Sequence, residues 1–137
     1  MRIAVIEDER PIREGLVHIL NKISPEYQVV GSAENGREGL ILLEEQDPDL
    51  ILLDIQMPDM NGLQMLKEAR KRGSMTKVVI LTAYSDFDYA KKAIALGIEN
   101  YLLKPVNLTE LKNTLSKIKE EIFVDREGKI LFHLKRS

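Results

Sequence analysis

The stretch Leu50-Ile51-Leu52-Leu53-Asp54-Ile55-Gln56-Met57-Pro58-Asp59-Met60-Asn61-Gly62 constrains this chain most. Four consecutive aliphatic residues leave no polar face, so the segment suits a strand buried on both sides of a sheet. Pro58, Asp59, Asn61 and Gly62 then make a turn signal. Asp54 stands where the strand leaves the core. A carboxylate there can be a plain strand end. Whether it is more depends on what the other strands bring beside it.

Ile3 to Ile6 reads as a first strand, stopped by Glu7-Asp8-Glu9. Pro11 suits the first turn of a helix, where its missing N–H is not needed. Ile12, Leu16, Ile19 and Ile23 recur along one helical face, up to Pro25. Tyr27 to Ala33 is the second strand. Asn35 and Glu38 have the spacing of an N-cap and its reciprocal partner, opening a helix that turns Leu40 and Leu43 inward and stops before Pro48. After the Asp54 strand, Gly62 to Arg72 reads as a helix with Leu63, Leu66 and Ala69 or Arg70 on successive turns, ended by Gly73. Lys77 to Leu81 is a fourth strand, ending at Thr82-Ala83. Ser85 or Asp86 caps a helix running to Leu96, with Gly97 as its left-handed stop. Asn100 to Leu103 is a fifth strand, ending at Lys104-Pro105. Asn107 and Glu110 repeat the capping pair, and the last helix presents Leu108, Leu111, Leu115, Ile118 and Ile122.

Strands and helices therefore alternate throughout, which predicts an α/β fold with a parallel sheet between helices. Five such units correspond to the flavodoxin-like (βα)5 doubly wound sheet, strand order 2-1-3-4-5, with ligands bound outside the carboxyl ends of the strands near strands 1 and 3. The 137 residues suffice for one domain. We place it over residues 1–122, with a tail over 123–137.

Composition narrows the setting. The formal net charge of −2 gives no reason to expect nucleic acid or an anionic membrane as partner. Cysteine is absent, which removes disulfides and thiolate metal sites. No apolar run approaches the roughly 20 residues of a membrane helix, and Glu7-Asp8 come too early for a secretory signal. A cytoplasmic protein without a membrane partner is the expectation.

The polar residues that directly follow apolar strands are Glu7, Asp8, Asp54, Thr82 and Lys104. Parallel strands bring these ends to one rim. Three clustered carboxylates repel one another and raise each other's pKa unless something neutralises them. Lys104 supplies one charge. A hard divalent cation, held by oxygen ligands, supplies the rest, and Mg²⁺ favours few carboxylates plus water and phosphate oxygens. Beside such an ion Asp54 can attack a phosphorus atom and become an acyl phosphate. Lys104 and the Thr82 hydroxyl would then take phosphoryl oxygens.

These residues resemble the receiver domain of bacterial two-component response regulators. The resemblance covers Met1 to about Ile122. It is carried by Ile6-Glu7-Asp8-Glu9, by Leu53-Asp54 through Gly62, by Leu81-Thr82-Ala83 and by Tyr101-Leu102-Leu103-Lys104-Pro105. It implies that Asp54 accepts a phosphoryl group from a sensor histidine kinase. Asp8, Asp54 and the backbone carbonyl of Gln56 would ligate Mg²⁺ directly, and Glu7, where many members have Asp, through a water. Thr82 and Tyr101 would be the switch pair, and Lys104–Pro105 a cis peptide, the isomer that costs least before proline. Gln56 and Tyr84 flank the site, where bulk hinders an attacking water, so a persistent phosphoryl state is expected.

The resemblance also implies a switching face on helix 4, strand 5 and helix 5. Tyr84 to Ala93 is similar to receivers attached to AraC-type DNA-binding domains. DNA would then be contacted only through an output domain outside this chain, to control transcription. Homodimerisation on phosphorylation is a further partner in that picture.

Three other readings compete. A haloacid-dehalogenase-type phosphatase also uses Asp, Mg²⁺, Thr and Lys, but its nucleophile sits in an Asp-x-Asp pair, and Asp54 is followed by Ile55-Gln56. A flavodoxin-like cofactor binder needs a phosphate loop after strand 1, where this chain has Glu7-Asp8-Glu9-Arg10-Pro11. A receiver-shaped interaction module that is never phosphorylated would not need the full Asp/Thr/Lys set. The expected function is a switch that catalyses its own phosphorylation and hydrolysis, not an enzyme acting on an external metabolite. The heptad-like seam of the last helix is either plain packing or a dimerising or linker helix. Asp125 to Gly128 is a turn signal, followed by a partly apolar Lys129 to Leu134. His18 and His133 are isolated and expected to be structural or exposed.

Overall fold

The computed structural model describes residues 1–83 and 87–127. Ten elements follow one another as β1 (Arg2–Ile6), α1 (Arg10–Ile23), β2 (Gln28–Ala33), α2 (Gly36–Gln46), β3 (Leu50–Asp54), α3 (Gly62–Lys71), β4 (Lys77–Thr82), α4 (Phe87–Ala95), β5 (Asn100–Leu103) and α5 (Leu108–Glu127). The five strands form one sheet in the order β2-β1-β3-β4-β5, and all four pairings are parallel. This is the flavodoxin-like arrangement expected from the alternation. Met1–Val106 forms one compact unit, and the chain from Asn107 forms another.

Every residue of β3 is buried, because β3 lies between β1 and β4 and is covered on both faces. Ala4, Ile6, Ile51, Leu53, Val78 and Ile80 turn to one face and form a core with Leu40 and Leu43 of α2, Leu63, Met65 and Leu66 of α3 and Ala93 of α4. The alternate residues Ile3, Val5, Leu50, Leu52 and Val79 are also fully buried and face the other way, towards α1. Burying one such aliphatic side chain is worth about 1.5–3 kcal/mol, so β3 alone anchors much of the sheet.

The helix ends follow local chemistry. The Asn35 side chain accepts from the Glu38 amide at 2.8 Å, but Glu38 reaches back to the amide of Glu34, so that box is one-sided. Asn61 and Gln64 form a complete capping box at the start of α3. Gly97 has φ +75° after α4, the left-handed stop read from the sequence.

Two readings need correction. Leu16 is buried as read from the apolar spacing of α1, but Ile19 is 36% exposed and Leu20 is fully buried, so the inward stripe continues through Leu20 and not through Ile19. The last helix runs on to Glu127, through the first three residues of the expected turn, because Asp125, Arg126 and Glu127 all tolerate helix. Within α5, Leu111, Leu115 and Ile118 are buried while Leu108 is 46% exposed. The helix start at Ser85 or Asp86, Tyr84 and the tail from Gly128, including His133, lie outside the described residues.

Gly62 fixes the path of the chain after β3. Its amide donates to the Ile55 carbonyl at 2.8 Å, and a Cβ there would stand 2.2 Å from the Asp54 carbonyl oxygen. Two backbones meet at that point, so no side-chain rotation relieves the clash. Gly62→Ala is expected to destabilise the fold by about 1–3 kcal/mol, the usual cost of overpacking. Chemical denaturation checks this, and a loss no larger than that of an exposed helix substitution would contradict it.

Candidate functional site

The register of the sheet assembles the site. Val5 pairs with Leu52 and Ile6 with Leu53, so the next positions, Glu7 and Asp54, stand side by side on one face. Asp54 pairs with Leu81 and Leu81 with Leu102. Lys104, two residues beyond Leu102, follows on the same face. Three strands thus deliver two acids and an ammonium to one point of the rim.

Glu7 is 1% and Asp54 4% exposed, and Asp8 is half-buried. One carboxylate oxygen of each of the three lies within 4.8 Å of the others. The Lys104 ammonium donates a hydrogen bond to Glu7 Oε1 and stands 3.4 Å from Asp54 Oδ1. The backbone around them is held independently. The Glu7 amide donates to the Ala33 carbonyl at 3.0 Å, and Arg13 Nη1 donates to the Glu7 carbonyl at 2.8 Å. No buried side-chain polar atom among the described residues lacks a partner.

Burial, then the hydrogen bond and charge of Glu7, push the Asp54 carboxyl from its ordinary 3.8 up to about 7, against the pull of Lys104. Burial alone would lower the Lys104 ammonium, but Glu7 and Asp54 together outweigh it and leave it raised. One ammonium serves three acids. The cluster is therefore short of positive charge, and its donors are all oxygens, the set that suits a hard divalent cation.

Thr82 is fully buried at the end of β4, and its carbonyl accepts from the Lys104 amide at 2.7 Å. It pairs with Leu103, and Tyr101 pairs with Ile80, so Thr82 and Tyr101 share a face. Tyr101 is half-buried and packs on the core formed with α2, α3 and α4. That is the face opposite Asp54. The Lys104–Pro105 peptide is cis. Gln56 is exposed and, with Asp54 and Lys104, lines a cleft of about 640 Å³ that runs along α1 past Ile12, Gly15, Leu16 and Ile19. His18 is exposed. Sequence reasoning missed Arg13 and this cleft. The missed signal was Gly15 beside two isoleucines on one side of α1, a helical face with a hole in it.

A five-stranded parallel sheet in this order, with acids and a lysine on its carboxyl rim, is the architecture of CheY-like receivers. The chain belongs to the response regulator receiver domain family, whose model matches residues 3–116. It is 31% identical over 121 residues to the transcriptional regulatory protein YesN of Bacillus subtilis, covering 88% of this chain and 33% of YesN. It is 34% identical over 117 residues to the transcriptional regulatory protein HptR of Staphylococcus aureus, covering 85% of this chain and 46% of HptR. The chain thus spans a third to a half of the length of these relatives. Among solved structures it is similar to the receiver domain of AraT, a response regulator from Geobacillus stearothermophilus, with TM-score 0.80, 34% identity and coverage of 93% of this chain and 98% of that one. No helix among the described residues is long and apolar enough to cross a membrane.

The raised Asp54 carboxyl carries a stability prediction. Below 3.8 the group is protonated in both folded and unfolded chains. Between 3.8 and about 7 only the folded chain keeps the proton, so its contribution to stability is lost as pH rises through that window. In metal-free buffer, Asp54→Asn is expected to become progressively more stable than the wild type from pH 4 to pH 8, by on the order of a few kcal/mol at the upper end. Parallel melting curves for the two proteins across that range would contradict the assignment.

Proposed function

We propose that this chain is a phosphoacceptor switch of a two-component system, with Asp54 as the acceptor. The observation that carries the reading is the buried Glu7–Asp54–Lys104 group with Asp8 at its edge. An Asp54 oxygen attacks the phosphorus of a phosphohistidine on the sensor kinase. The N–P bond breaks, the histidine leaves, and an acyl phosphate forms. Asp8, Asp54 and the Gln56 carbonyl would hold Mg²⁺, with Glu7 through a water, and the ion supplies the positive charge that the acids and the incoming phosphoryl oxygens need. Lys104 already lies 3.4 Å from Asp54, close enough to take a phosphoryl oxygen once its hold on Glu7 is released. The Thr82 hydroxyl takes another. Its displacement frees or traps Tyr101 behind it, which passes the change to α4 and β5. The chain therefore catalyses its own phosphorylation and hydrolysis and turns over no external metabolite. The names of its relatives support transcription as the output, with DNA contacted by other parts of a complete regulator.

The cleft along α1 supports a kinase as donor. It opens onto Asp54 and is walled by Ile12, Leu16, Ile19, Pro105 and Val106, an apolar trough of the kind that takes the apolar face of a partner helix. Gly15 forms its floor, and a Cβ there would meet nothing within 4 Å.

Two measurements test these readings. Incubation with acetyl phosphate and Mg²⁺ is expected to add one phosphoryl group to the intact mass, dependent on Mg²⁺ and absent in Asp54→Asn. No gain in the wild type with several small donors would promote the unphosphorylated interaction module instead. Gly15→Phe, which projects a ring into the trough from a position where an added Cβ meets nothing within 4 Å, is expected to slow transfer from a histidine kinase at least tenfold while acetyl phosphate labelling stays as in the wild type. Equal slowing with both donors would place the trough outside kinase docking.

A further inference from the structure

Arg70 is a half-buried cation whose hydrogen-bond partners are all backbone carbonyls. Its Nε donates to Leu96 at 3.0 Å and Nη2 to Gly97 at 3.2 Å. Its Nη1 donates to Ser74 at 3.0 Å and Thr76 at 2.8 Å. Leu96 and Gly97 follow the last turn of α4, where carbonyls have no helical partner and where a cation suits the helix dipole. Ser74 and Thr76 belong to the connection into β4. That connection is itself fixed, because Thr76 Oγ1 donates to the Pro48 carbonyl at 2.8 Å in a buried bond. One planar guanidinium thus ties α3, the carboxyl end of α4 and the entry to β4 into a single node. An ammonium, with its point charge and no rigid fork, does not reproduce it.

The rest of α4 is placed differently. Its amino end at Phe87 comes shortly after Thr82-Ala83 at the rim. Between the ends it touches the core through Ala93 and the half-buried Tyr89, and among the described side chains of the helix the small Ala93 alone is fully buried. The helix has 9 residues, roughly 13 Å of rod. A rod held at one end and displaced near the other rotates.

We propose that Arg70 is the fixed pivot of α4, so that a change at Thr82 reaches the helix as a rotation about its Leu96–Gly97 end. The proposal rests on the phosphoacceptor reading of Asp54 and adds the mechanical point that makes the response directional. The Leu96 and Gly97 amides, bonded to Ala93 and Ile94 at 3.0 Å, report on the held end.

The experiment compares wild type with Arg70→Gln and Arg70→Lys by hydrogen exchange and by amide chemical shifts. Without any phosphoryl mimic, exchange at Leu96 and Gly97 is expected to rise at least tenfold in Arg70→Gln relative to amides in α2, which control for global stability. Arg70→Lys is expected to fall between. With Mg²⁺ and beryllofluoride, shifts along α4 in the wild type should be largest at its amino end and fade towards Leu96. In Arg70→Gln they should extend through Gly97. Unchanged exchange at the held end, or the same shift profile in wild type and variant despite a normal response around Asp54, overturns the pivot alone. No beryllofluoride response around Asp54 overturns the phosphoacceptor reading and the pivot with it.

Discussion

The structure depends on an electrostatic imbalance at the end of its most buried strand. Glu7 and Asp54 are adjacent by register and nearly out of water, where like charges repel strongly. Lys104 relieves part of this, and its hydrogen bond goes to Glu7 rather than to Asp54. The longer side chain of Glu7 reaches the ammonium, where the Asp common in the family would be shorter by one methylene. Burial, then the hydrogen bond and charge of Glu7, push the Asp54 carboxyl up to about 7, and Lys104, whose hydrogen bond goes to Glu7, offsets only part of this. A site that holds a carboxylate at such a cost favours any ligand that brings positive charge, and it tolerates the added negative charge of a phosphoryl group only if that charge comes with a cation.

The backbone keeps this imbalance from relaxing away. Gly62 lets α3 approach the Asp54 carbonyl closer than any side chain would permit, and the Asn61–Gln64 capping box starts the helix at that contact. Arg13 grips the Glu7 carbonyl from α1, and the Lys104 amide is tied to Thr82. Each charged side chain therefore sits on a backbone that is bonded to a different neighbour. The acids cannot move apart without breaking structure that has nothing to do with charge.

Much of this was readable in the sequence, for a definite reason. Parallel strands ending together turn positions far apart in the chain into neighbours, so Asp54, Thr82 and Lys104 could be placed on one rim from the ends of apolar runs alone. What stayed hidden is what depends on rotation and reach. The inward stripe of α1 is set by how the helix sits on β1, which moved the buried position from Ile19 to Leu20. The choice of Glu7 over Asp54 by Lys104 depends on side-chain length across 97 residues of sequence. Arg70 could be placed near an inward turn of α3, but its four carbonyl partners come from segments whose meeting no local pattern encodes.

The two faces of the sheet divide the work. Glu7, Asp54 and Lys104 point to the side of α1, where the cleft gives access from outside. Thr82 and Tyr101 lie on the other side, with the core that carries α4. Chemistry and response are thus separated by one layer of backbone, and the end of β4 is where they meet. Leu81 pairs with Asp54, and the next residue is Thr82. In the proposed switch, a charge added at Asp54 would draw the Thr82 hydroxyl across the thickness of the sheet and so be felt on the far side. Both residues are the last of their strands, where a side chain can lean past the edge of the sheet. That path would be closed to them one residue earlier, inside the sheet.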